Sequence, residues 1–94
     1  LRTYGDYVAA LNELSIGRVD AVVGDEVLMR YYMNKTPGTY VALEEDFGEE
    51  EYGVGLRKDD TELLNKLQAA LDEMKADGTS AEISKKWFGE DIVK

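Results

Sequence analysis

The sequence predicts an α/β fold, and three observations carry that prediction. The stretch Arg18-Val19-Asp20-Ala21-Val22-Val23-Gly24-Asp25 sets a short apolar run, rich in β-branched residues, between turn-forming flanks. Such a run reads as a buried strand. Patterns of helical period lie on both sides of it, and a strand covered by helices is the central strand of an α/β layer. Further β-rich runs at residues 39–43 and 52–56 give the order β-α-β-α-β, an acidic crossing, then β-α-α. Asp25 falls just past the carboxyl end of the central strand, which is where ligands bind in open α/β sheets.

Taken in order, residues 1–4 read as a short first strand. Asp6 caps a helix that runs to about Ser15, with Val8, Leu11 and Leu14 near one face and Gly17 as its stop. After the central strand, Val27, Leu28, Tyr31 and Tyr32 mark an amphipathic helix over residues 26–34, with Asp25 as its natural N-cap; Pro37-Gly38 breaks it. The third strand follows. Residues 44–51 then crowd Glu44, Glu45, Asp46, Glu49, Glu50 and Glu51 around Phe47-Gly48, and like charges this dense favour a solvated boundary or linker. Tyr52-Gly53-Val54-Gly55-Leu56 is the fourth strand, its glycines marking a bulge or a close backbone approach. Leu63, Leu64, Leu67, Ala70, Leu71 and Met74 recur at three- and four-residue spacing, the signature of a long helix that stops at Asp77-Gly78. Thr79-Ser80-Ala81-Glu82 has the form of a capping box. The short helix after it carries Ile83, Trp87 and Phe88, read as core, with Lys85 and Lys86 in its last turn where the helix dipole favours cations. Gly89 ends it.

Composition narrows the function classes. The 94 residues make one domain's worth, and 44% hydrophobic content excludes disorder. A net charge of −9, with Lys and Arg scattered, argues against nucleic acid and anionic membrane surfaces as partners. The absence of Cys and His removes disulfides, Cys/His zinc sites, thiol nucleophiles and Ser-His triads. No run of about 18 apolar residues is present to span a membrane. The chain opens on Leu1-Arg2-Thr3-Tyr4, like a strand already under way, and the expectation is a mature or truncated product.

Asp25 is the leading functional candidate. Its carboxylate can accept charge-assisted hydrogen bonds from a ligand ammonium, or it can serve simply as an N-cap; with two oxygens it can do both. Gly53-Val54-Gly55 lacks the third glycine and the following helix of a phosphate-binding loop. The acidic stretch lacks the alternating ligands, mid-loop glycine and closing glutamate of the common calcium loop.

Three motifs then point to a family. Residues 17–25, Gly-Arg-Val-Asp-Ala-Val-Val-Gly-Asp, resemble the G-R-x-D-A-V-x-x-D segment of bacterial polar amino-acid-binding proteins of ABC uptake systems. Residues 52–58 resemble their Y-G-I-A-F-x-K segment, and Asp77-Gly78-Thr79, Glu82-Ile83 and Lys85-Lys86-Trp87-Phe88-Gly89 resemble their G-T-x-x-E-I-x-K-K-W-F-G terminus. The resemblance implies the C-terminal part of a two-lobed, type II periplasmic-binding-protein-like clamshell. Residues 1–48 would be the later part of lobe two, residues 49–52 a hinge crossing holding Glu50, Glu51 and Tyr52, and residues 53–94 a segment completing lobe one. It implies no enzyme and no cofactor or metal, but extracytoplasmic capture of a free amino acid and its delivery to a membrane ABC permease. Asp25 would hold the α-ammonium, and Gly24 stands where the family often presents a side chain to the ligand. The groups for the other end of the ligand would lie in a missing N-terminal part, so this chain alone would bind weakly. It would pair with that part or form a homodimer. The same resemblance leaves open a sensing receptor module or a clamshell enzyme such as a dehydratase.

Overall fold

Helix α1 spans Tyr7–Ser15, α2 Glu26–Lys35, α3 Thr61–Ala76 and α4 Thr79–Phe88, as seen in a computed structural model that describes residues 1–94. Each helix starts and stops where its local chemistry dictates. Asp6 accepts the Ala9 N–H at 2.7 Å and opens α1. Gly17, at φ +75°, closes it: the Gly17 N–H reaches the Leu14 carbonyl and the Arg18 N–H the Glu13 carbonyl, the paired bonds of a Schellman stop. Asp25 caps α2 through the Leu28 N–H at 2.8 Å, and Glu26 meets Arg30 one turn on at 2.8 Å. Asp60 caps α3 through the Leu63 N–H at 3.2 Å.

The α3–α4 corner departs from the capping box read from the sequence. The N-cap of α4 is Gly78, at φ +86°, with no side-chain cap bond. Asp77 instead accepts both the Thr79 N–H, at 2.8 Å, and its hydroxyl, at 2.6 Å. Thr79 is the first residue of the helix rather than its cap, and its hydroxyl donates back to the carboxylate two residues before it.

The α/β expectation, with its order β-α-β-α-β, crossing, β-α-α, is overturned. The chain is 48% helical and contains no strand and no sheet. Of 42 backbone–backbone hydrogen bonds, 30 lie within the helices and the other 12 close turns and caps over five residues or fewer. A globular chain of this length holds about 65, so the deficit is the ladder that never forms. The physical reason is pairing. Residues 1–4, 19–24, 39–43 and 52–56 have strand composition, but no second segment docks alongside any of them, and a strand without partners has nothing to hydrogen-bond.

Packing is carried by three helix seams. α1 lies on α2, α2 on α4, and α4 on α3. At the α2–α4 seam Asn34 donates to the Lys86 and Trp87 carbonyls, each at 3.2 Å, Arg30 pairs with Glu90, and the Tyr31 and Trp87 rings lie 6.4 Å apart. Ser84, on α4, is buried; its hydroxyl donates to the Glu90 carbonyl at 2.8 Å and accepts the Ile92 N–H at 2.9 Å, pinning the chain's end. Only Ala10 and Leu11 are buried apolar residues. Trp87 is not core: it is 50% exposed, with Tyr31 of α2 against its ring on one side. The surface is 7911 Å², against about 5,400 Å² for a globular chain of this mass. The radius of gyration is 16.7 Å where about 12 Å is usual. Leu63, Leu64, Ile83, Val41 and Val54 stand among the exposed apolar side chains.

Candidate functional site

The site is built on the N-terminus of α2. Residues 19–24 lead into Asp25, whose backbone (φ −62°, ψ 126°) is still extended while its side chain already serves the helix. One carboxylate oxygen, Oδ1, accepts the Leu28 N–H at 2.8 Å. The other, Oδ2, accepts the Tyr52 hydroxyl, donated from 27 residues further along the chain. The Val27 N–H and the Glu50 carboxyl also lie within reach of Asp25. The capping reading of Asp25 is therefore realised, and its second oxygen is turned to a separate segment.

Electrostatics follow from these donors. Partial burial pushes the Asp25 carboxyl up. The hydrogen bonds from Tyr52, Leu28, Glu50 and Val27 outweigh it and leave the group below its ordinary value. Glu50 is pushed the opposite way by its hydrogen bond to Asp25 and by that neighbour's charge. The Tyr52 phenol, donating to a carboxylate, is pushed up to about 12. The arrangement is a carboxylate that accepts a backbone N–H on one oxygen and a phenol O–H on the other, a place that accepts N–H and O–H groups. No three His, Cys, Asp or Glu side chains are grouped to hold a metal ion.

Gly24 sits beside it under two side chains. A Cβ at this position would lie 2.6 Å from Met29 Cε and 2.7 Å from Tyr7 Cε1. The space a side chain would take at residue 24 is already filled by the first residue of α1 and a residue one turn into α2. Four of the five residues singled out by sequence, Gly24, Asp25, Glu50 and Tyr52, come together here. Glu51 does not; its side chain is exposed and makes no hydrogen bond or ion pair. Sequence reasoning missed Tyr7 and Met29. Met29 was findable, since a side chain four residues after an N-cap points back over it; Tyr7 carries no local signal linking it to residue 24.

Comparison with known proteins identifies similar sequences. The sequence model of the bacterial extracellular solute-binding proteins, family 3, matches residues 5–90. The chain is 38% identical over 94 residues to the L-cystine-binding protein TcyJ of Escherichia coli (strain K12), covering 100% of this chain and 35% of that protein. It is 37% identical over 98 residues to the glutamate-binding protein GluB of Corynebacterium glutamicum, covering 99% and 33%. It is 38% identical over 90 residues to the ABC transporter arginine-binding protein 1 of Escherichia coli (strain K12), covering 92% and 37%. The chain thus spans about a third of the length of these curated relatives. No solved structure matches it.

Proposed function

The chain belongs to the bacterial extracellular solute-binding proteins of family 3, and on that premise we propose that it supplies the ammonium-binding half of an amino-acid site, with Asp25 as the acceptor. The observation that carries this reading is the Asp25 oxygen that the helix does not use. Oδ1 is committed to the helix, while Oδ2 is held only by a neutral hydroxyl from a distant segment. The relatives are named for L-cystine, glutamate and arginine, and an α-ammonium and an α-carboxylate are what those ligands share. A protonated amine donates a charge-assisted bond to an ionised carboxylate.

The other end of an amino acid needs a cation. None contacts Asp25; Arg18 is paired with Glu13, Arg30 with Glu26 and Glu90, and Arg57 with Asp60. This chain by itself therefore binds amino acids weakly. Residues 1–48 and 53–94 are parts of two lobes, residues 49–52 the crossing between them, and the α2–α4 seam is where the two parts touch. The surface in excess of a globular chain's is covered either by a polypeptide corresponding to the unmatched part of the relatives or by a second copy. With −9 charges per chain the first is favoured, since self-association brings like charges together. The role of the whole protein is extracytoplasmic capture of a free amino acid for an ABC permease; no helix is long and apolar enough to cross a membrane itself.

The test is a nuclear magnetic resonance titration of the 94-residue chain with L-arginine, L-glutamate and L-glutamine, each against its Nα-acetyl derivative. The expected result is shifts at Gly24, Asp25 and Leu28 with at least one free amino acid, lost on acetylation and weakened about tenfold or more by Asp25→Asn. Equal shifts from a free amino acid and its acetylated form would remove Asp25 as an ammonium acceptor.

A further inference from the structure

Each oxygen of the Asp25 carboxylate already has a partner. Oδ1 accepts the Leu28 N–H and Oδ2 the Tyr52 hydroxyl, with the Val27 N–H and the Glu50 carboxyl close by. An ammonium group arriving at Oδ2 competes with the donor already there. The two backbone donors belong to the first turn of α2 and leave only if the helix frays. Tyr52 and Glu50 have no such hold. Residues 40–56 neither donate nor accept a single backbone–backbone hydrogen bond.

What fastens that long segment is side chains. The Tyr40 hydroxyl donates to the Leu11 carbonyl at 3.0 Å near its start, and Lys94 stands 3.7 Å from Glu49 on the surface. The remaining tie to the helices is at Asp25, through the Tyr52 hydroxyl with Glu50 beside it. We infer that Tyr52 is a built-in competitor for the ammonium site: its hydroxyl holds the Asp25 oxygen that a ligand takes, so filling the site and releasing residues 49–52 from α2 are one event. This rests on the reading of Asp25 as an ammonium acceptor. A phenol is suited to the part. A neutral donor binds a carboxylate less strongly than a charged one, so an ammonium displaces it, and in the ligand's absence it keeps the carboxylate satisfied. Glu50, carried on the same segment, leaves with it.

The experiment uses the 94-residue chain and methylammonium, an ammonium with no side chain to fit. The 13C resonance of the Asp25 carboxyl is followed against pH and against methylammonium at constant ionic strength, in wild type, Tyr52→Phe and Glu50→Gln. Tyr52 is 65% exposed, so loss of its hydroxyl leaves the helices intact, which circular dichroism checks. Removing the hydroxyl is expected to raise the pH at which Asp25 titrates and to tighten methylammonium binding about fivefold; a hydroxyl that merely supports the site would loosen it. In wild type, methylammonium is expected to shift the Tyr52 and Glu50 signals along with Asp25, while tetramethylammonium, which has no N–H to donate, leaves them in place. An Asp25 titration identical in wild type and Tyr52→Phe overturns the competitor, as does weaker binding in Tyr52→Phe. If the titration moves but methylammonium shifts Asp25 in none of the three proteins, the ammonium reading itself falls and the competitor with it.

Discussion

The N-termini of α2 and α3 are built from the same part and finished differently. Asp25 and Asp60 each stand at the N-cap and accept the N–H three residues on, at 2.8 and 3.2 Å. At α3 the second oxygen of Asp60 is taken by the Arg57 guanidinium, at 2.8 Å and three residues back. That cap is neutralised locally and asks nothing of the rest of the chain. At α2 the second oxygen is taken by an uncharged hydroxyl from 27 residues away, with no cation in contact. A carboxylate that already holds a cation is a finished structural device. One that holds only neutral donors retains its charge for something else, and this separates a site from a cap where residue type and helix position do not.

Replacing each aspartate by alanine is the widest way to break the comparison. Both variants lose a cap, worth about 1 kcal/mol. Asp25→Ala also frees residues 49–52, and a total of about 2 kcal/mol is expected for α2 against about 1 for α3. Amide exchange in the first turn of each helix measures both. Equal losses at the two helices would reduce Tyr52 to an incidental neighbour. The residue before each cap gives a smaller contrast. Gly24→Ala puts a methyl group against Tyr7 and Met29. The Met29 terminus can move aside but the Tyr7 ring is bulkier, so a cost of about 1 kcal/mol is expected. Asp59, exposed before Asp60, should tolerate alanine within about 0.5 kcal/mol.

The same contrast explains what could be read from the sequence. All four helices were legible, because the signals that start and stop a helix lie within a few residues of its ends: Asp6, Asp25 and Asp60 before, Gly17, Gly78 and Gly89 after. Strand composition was equally visible in Ala21-Val22-Val23, but a strand is completed by a partner, and composition is silent on whether one docks. Val23 is 68% exposed as a result. The capping role of Asp25 was local and legible. Its bond to Tyr52 was not, since helical and strand periodicities carry no information over 27 residues. The resemblance placed Tyr52 at a crossing and Asp25 at a ligand without joining them. Trp87 was misjudged for a related reason: its apolar ring marks a face that wants covering, and α2 covers only part of it.

Titration sharpens the comparison further. The Tyr52 phenol ionises at about 12 in the folded chain, above its ordinary 10.0, so its contribution is fully present below pH 10 and is lost as pH rises through about 12. In an absorbance titration of the six tyrosines, one is expected to ionise last, and Asp25→Asn should return it toward the others. Asp25 works at the other end of the scale. Its carboxyl is held below 3.8, so its contribution is present above that value and fades as pH falls through the lower folded one. Tyr52→Phe should narrow that acid margin. If Asp25→Asn leaves every tyrosine where it was, the phenol is not bonded to the carboxylate in solution.

The smallest effect is expected at the finished cap. Arg57 is 87% exposed, and an ion pair in that position is worth no more than about 0.5 kcal/mol. Arg57→Ala should leave α3 nearly as stable as before, because the Leu63 N–H still has its acceptor. It should, however, make the α3 terminus resemble the α2 terminus in one respect: a capping carboxylate with its second oxygen free of any cation. Methylammonium should then shift the Asp60 carboxyl resonance where it did not in wild type, though less than it shifts Asp25, which sits among Tyr7, Met29 and Tyr52 rather than in open solvent. A wild-type Asp60 that responds as strongly as Asp25 would show that any capping aspartate of this chain attracts an amine, and that the N-terminus of α2 is not special.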